Sequence, residues 1–318
     1  FFISEGKIPL RDSTLNWNRP VEGISSKYLW TKLLPYERKI KYTNPKCGFL
    51  FNCNGTPLQA TAYNENSKEY FVGLQLFTYN RNERFSRLLN EHQGKFRWQD
   101  FLRIKFDKSY DDSGRYMRNF KALFMLEAAK YPDLKDAIAK IKAWNLSGDK
   151  DDTHAGLAML TNKFAVGKLK LPYAFLMIKD KPLTETEVVK ALGKAKDYLL
   201  KKYNTLDVPL GTVQRLMRGD KNYPIGGLSE VPRAVDTKYD KEKGFYKATA
   251  GDGYFQLMKF GKEGVEINTI SPFGASTHPE SKHYTDQMEL FVNEKTKPMS
   301  LNKDAVFKSA ERIYHPGE

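Results

Sequence analysis

The spacing of apolar residues changes twice along this chain, and that change limits the folds open to it. From about residue 83 to 205 apolar residues recur at helical intervals, whereas before and after they alternate or form short runs between prolines and glycines. In SGRYMRNFKALFMLEAAKYP, Tyr116, Phe120, Leu123, Phe124 and Glu127 fall on one helical face, and Pro132 ends the pattern. DLKDAIAKIKAWN predicts a second helix. LTETEVVKALGKAKDYLLKKY opens on Thr184-x-x-Glu187, a capping box, and sets Val188, Leu192, Ala195 and Leu199 in a buried stripe. The flanks predict strands: FFISEG and the alternating stretch up to GFLFN on one side, and GYFQLMKFG, GVEINTISPFG and HYTDQMELFV on the other. No repeat, low-complexity tract or linker separates the blocks. One continuous unit spanning residues 1–318 is expected, strand-rich over residues 1–82, mainly helical over residues 83–205 and returning to strands from 206. That is an α+β fold.

Composition narrows the function classes. The chain has 318 residues, 40% of them hydrophobic, which is enough for a sizeable core. Its apolar runs, such as AFLM and LFML, fall far short of the roughly 20 residues that cross a bilayer. FFISEGKIPL shows no basic segment leading into an apolar one and no initiator Met, so the chain is expected to be a downstream piece, with any targeting signal upstream. A net charge of +14 invites an anionic partner. Yet the basic residues are interleaved with 38 acids, and no nucleic-acid-binding motif is present. Stretches such as KALGKAKDYLLKKY predict a solvated helix face. Cys47 and Cys53 on one strand would lie about 20 Å apart, too far for a disulfide. Neither they nor the scattered histidines have zinc-site spacing.

The segment GFLFNCNGTP carries the first candidate site. If it is extended, Phe49, Phe51 and Cys53 face one way, and Leu50, Asn52 and Asn54 the other. Two readings of the asparagines stay open. Asn bonds its own backbone in turns, and an amide at a strand end can also face a reacting group.

Three stretches, in this order, resemble the penicillin amidase family of N-terminal-nucleophile amidohydrolases. They are WTKLLPYERKIKYTNPKCGFLFNCNGTP, RNERFSRLL, and GDGYFQLMKF followed by PFGASTHPESKHYTDQMELF. The resemblance spans about Gly23 to Glu318 and implies a portion of an αββα sandwich with a helical insertion between two strand-rich regions. It implies hydrolysis of an N-acyl amide through an acyl-enzyme on an N-terminal Ser, Thr or Cys, whose own α-amine is the base. That nucleophile is absent from these residues, so the chain alone is expected to be inactive and to need the small chain and the N-terminal portion of the large chain. Asn54 matches the oxyanion-hole asparagine, with Asn52 in support. Cys53 stands where Trp is frequent, and Gly55 where a second Asn is. Arg81 matches the arginine that orients the asparagine and the nucleophile's amine; Arg84, also one turn from Leu88, is the competing choice.

The resemblance also implies a periplasmic or secreted enzyme with no required cofactor. A structural calcium common in the family would draw on Glu65 and on a carbonyl near Glu22, and oxygen ligands suit that ion. Ser281, His283 and Asp286 invite comparison with a hydrolytic triad, but two- and three-residue spacing in one loop does not give triad geometry. The wording of RGDKNYPIGG and AGDGYFQLMKF leans toward lactone and lipopeptide acylases. Two further readings are a non-catalytic module binding acylated ligands and, less favoured, a basic nucleic-acid binder.

Overall fold

The computed structural model describes residues 2–3, 6–17, 19–62, 78–167, 181–315 and 317. The chain forms two compact units: residues 1–105, 110–121 and 171–183 in the first, and 106–109, 122–170 and 184–318 in the second.

In the first unit, β1 (Phe2–Ile3) pairs antiparallel with β2 (Lys41–Tyr42). Among the described residues these two short strands are the only ones within residues 1–82, so the residues described there hold fewer strands than expected. Prolines at 9, 20, 35, 45 and 57 remove ladder donors along it. Short 3-10 turns at Ser26–Tyr28, Tyr36–Arg38 and Pro57–Gln59 take the place of strands. The helices α1 (Asn80–Asn90) and α2 (Trp98–Lys105) follow. α3 (Arg115–Met125) begins in this unit, where Tyr116 is fully buried and stacks on Tyr110 and Phe120.

The second unit holds α4 (Lys135–Ala143), α5 (Ala155–Val166) and α6 (Glu185–Tyr203). α5 is apolar nearly all round and packs against α6. Val188, Leu192, Ala195 and Leu199 form the buried stripe of α6 as expected, while Lys190, Lys194 and Lys201 are exposed on its other side. After the single turn α7 (Leu210–Val213), the chain returns to strands. β3 (Gln214–Arg218), β4 (Lys221–Pro224), β5 (Val235–Asp240) and β6 (Phe245–Gly251) form a sheet of order β4-β3-β6-β5. β3 and β6 run parallel and the other pairs antiparallel. β7 (Phe255–Gly261), β8 (Gly264–Ile270) and β9 (Lys297–Pro298) form an antiparallel sheet.

HYTDQMELFV is not a strand. It carries α8 (Met288–Val292), whose buried Met288, Phe291 and Val292 have helical spacing, i, i+3 and i+4. The chain ends with α9 (Lys303–Ser309).

Candidate active site

Asn54 sits at the corner of a tight reversal. Its backbone is left-handed, with φ +62°, a region that asparagine tolerates better than most residues with a Cβ. Its N–H donates to Asn52 Oδ1 at 2.9 Å, so Asn52 shapes the turn through its own amide. Both asparagines are exposed, and Cys53 between them is buried. The segment makes no regular ladder, but the Phe51 N–H donates to the Ala60 carbonyl at 2.9 Å. Phe51 packs against Phe49 and against Phe85 of α1, with ring centroids 6.3 and 6.2 Å apart.

Phe85 lies one helical turn beyond Arg81, so the two share a face of α1 turned toward the Asn54 segment. Arg81 Nη2 donates to Asn54 Oδ1 at 3.2 Å. A guanidinium has donors and no acceptor, so it selects the amide oxygen. The bond therefore fixes the sense of the Asn54 amide and leaves the two N–H groups of Nδ2 for another acceptor. Arg81 also lies over the Tyr79 ring, 5.6 Å from its centroid. The charge of Arg84 acts elsewhere, on Asp112, whose carboxyl is held below the usual range chiefly by its hydrogen bond from Arg87.

A polar cluster invisible to sequence spacing supports this pair from within the same unit. Asn80 and Asn82 of α1 are buried. Asn82 Oδ1 accepts the Tyr79 N–H at 3.2 Å, covering a donor left open at the start of the helix. Glu83 Oε2 accepts the Arg115 N–H at the start of α3 at 2.7 Å, and Oε1 accepts from Arg118 Nη2 at 2.9 Å. The Arg115 guanidinium in turn donates to the Thr78 carbonyl, just ahead of α1, at 2.6 Å. Asp111, 2% exposed, accepts from the Ser113 N–H and hydroxyl at 3.0 and 2.7 Å and faces Arg87 at 3.4 Å. The sequence signal for the loop was Asp111 and Ser113 ahead of a helical stripe. Nothing local announced Glu83.

Of the other expected site residues, Glu22 lies in an exposed loop and Glu65 lies outside the described residues. Among the described residues no group of three or more His, Cys, Asp or Glu could hold a metal ion.

In the C-terminal loop, His283 Nδ1 meets Asp286 Oδ2 at 2.7 Å, while Ser281 Oγ accepts the His283 backbone N–H at 3.2 Å. The hydroxyl thus serves the turn. The loop is fastened by Gln287, which donates its N–H to the Phe273 carbonyl and accepts the Ser271 N–H, both at 2.9 Å. Arg218 stacks on Phe273 and Tyr284, 4.3 and 4.8 Å from their centroids.

The family model for penicillin amidase matches residues 1–308. A thermostable penicillin G acylase from Alcaligenes faecalis is similar in structure, with a TM-score of 0.56 at 16% sequence identity. The match covers 98% of this chain and 64% of that one, so the 318 residues span just under two thirds of that acylase chain. At this identity the likeness establishes the α+β fold.

Proposed function

Because the chain belongs to the penicillin amidase family, we propose that it supplies the oxyanion-stabilising portion of an N-acyl amide hydrolase. The observation that carries this reading is the Arg81–Asn54 hydrogen bond, which orients a side-chain amide at a turn. Attack comes from an N-terminal Ser, Thr or Cys contributed by polypeptide other than these 318 residues. The nucleophile's α-amine takes its proton, and the carbonyl oxygen becomes an oxyanion. Asn54 Nδ2 donates to that oxygen beside a backbone N–H from outside the chain. Collapse of the tetrahedral intermediate expels the amine, which takes up a proton, and water then releases the acid. Arg81 keeps the amide oxygen turned away from the developing negative charge. Its own positive charge also disfavours protonation of the nearby α-amine, favouring the free base.

The small chain and the N-terminal portion of the large chain are the proposed partners, and a periplasmic or secreted location is proposed from family membership. Among the described residues no helix is long and apolar enough to cross a membrane.

The test is a stopped-flow assay of the complete processed enzyme on chromogenic N-acyl anilides of increasing acyl length, with mass analysis of the quenched protein. A product burst with an acyl adduct on the N-terminal residue is expected. Ligand binding with neither burst nor adduct at any length contradicts hydrolysis and points to a non-catalytic acyl-binding module.

A further inference from the structure

Gly55 follows the candidate oxyanion residue, and its backbone lies outside the left-handed region. Backbone conformation therefore does not explain why the position has no side chain. The reason is contact. A Cβ at Gly55 would lie 2.6 Å from both Nδ2 and Oδ1 of Asn82 and 2.7 Å from its Cγ. The Asn82 amide thus rests flat against the Gly55 backbone. Asn82 is 3% exposed and belongs to the first turn of α1, next to Arg81. Its Oδ1 also holds the Tyr79 N–H at 3.2 Å. One small amide thus touches the turn that presents Asn54 and closes the start of the helix that presents Arg81. A buried amide held by a hydrogen bond on one side and packed against backbone on the other cannot drift without losing one of these contacts.

We propose that Asn82 is a positioning residue for the reaction: with Gly55 as its required counterpart, it sets the distance and angle between the Asn54 turn and Arg81. This rests on the function proposed above. A displaced Asn54 amide loses its aim at the oxyanion, so the effect falls on turnover more than on substrate binding. A displaced Arg81 also stops disfavouring protonation of the nucleophile's α-amine, so the acidic limb of the kcat/KM profile moves to higher pH.

The test is a double-mutant cycle in the complete processed enzyme, with Asn54→Ala measured in parallel. Gly55→Ala is expected to lower kcat by about 10- to 100-fold, with KM within about threefold. Asn82→Ala is expected to lower kcat by less and to move the acidic limb upward. The double variant, which has room for the new Cβ, should turn over faster than Gly55→Ala alone. Asn82→Asp keeps an acceptor at the helix N-terminus and should recover most of the Asn82→Ala loss. If Gly55→Ala does not accumulate as folded protein, its recovery in the double variant supports the proposal, and failure to recover overturns it. Additive losses, or an acidic limb that stays in place when Asn82 is removed, also overturn it. If Asn54→Ala retains near-normal turnover while the cycle still shows coupling in thermal unfolding, the Gly55–Asn82 contact stands and the oxyanion assignment fails instead.

Discussion

Helices α1 and α6 both cap their first turn with the side chain of their third residue, yet different chemistry holds each in place. In α6, Glu187 accepts the Thr184 N–H at 2.8 Å, and the helix then buries Val188, Leu192, Ala195 and Leu199 at 0% exposure. In α1 the buried residues are Asn80 and Asn82, and Glu83 fastens the helix through hydrogen bonds to Arg115 and Arg118. Apolar burial is strong but non-directional, so it fixes that a helix packs more firmly than where its atoms lie. Hydrogen bonds stabilise less and depend steeply on distance and angle. The helix that carries Arg81 is therefore held by the interactions that specify position.

Substitutions can break this contrast. Leu192→Ala should cost about 2–5 kcal/mol and lower Tm, with activity per folded molecule kept. Leu192→Met should cost less than about 1.5 kcal/mol. Glu83→Ala should cost about 1–3 kcal/mol, because the Arg115 N–H loses its acceptor, and in contrast to Leu192→Ala it should also lower kcat of the folded enzyme. Equal specific activities for the two variants would erase the distinction between the helices. Thr184→Ala should cost about 0.5–2 kcal/mol in denaturant unfolding and leave kcat unchanged.

The smallest effect lies at His283. Asp286, and secondarily Glu311, raise its pKa above the ordinary 6.5. A raised folded-state pKa gives stability that is fully present below the unfolded value and is lost as pH rises through the folded one. NMR titration should place the His283 midpoint above 6.5, and Asp286→Asn should bring it down. An unchanged midpoint would remove Asp286 as the cause.

The sequence revealed the elements that local chemistry determines. The α6 capping box, its apolar stripe and the Tyr116, Phe120, Leu123 face of α3 all depend on residues a few positions apart. Asn54 and Arg81 were legible through the order and spacing of residues shared with a family, and the structure then joined them by a hydrogen bond. The contacts that fix α1 were hidden because they join distant positions. Glu83 and Arg115 are 32 residues apart, and Asn82 explains Gly55 only once the turn is folded onto the helix. Alternating apolar residues within 1–82 suggest strands because the pattern does not count lost N–H donors, and prolines there turn the backbone into 3-10 turns and bends. The short apolar run at Met288–Val292 suggests a strand, although its apolar residues fit a helical turn equally well.

The central claim is that Asn54, turned by Arg81, donates to the oxyanion. It is tested most directly by kcat and KM of Asn54→Ala in the complete processed enzyme. The account predicts a fall in kcat of about 10²–10³-fold with KM nearly unchanged. Turnover close to that of the unsubstituted enzyme would contradict it.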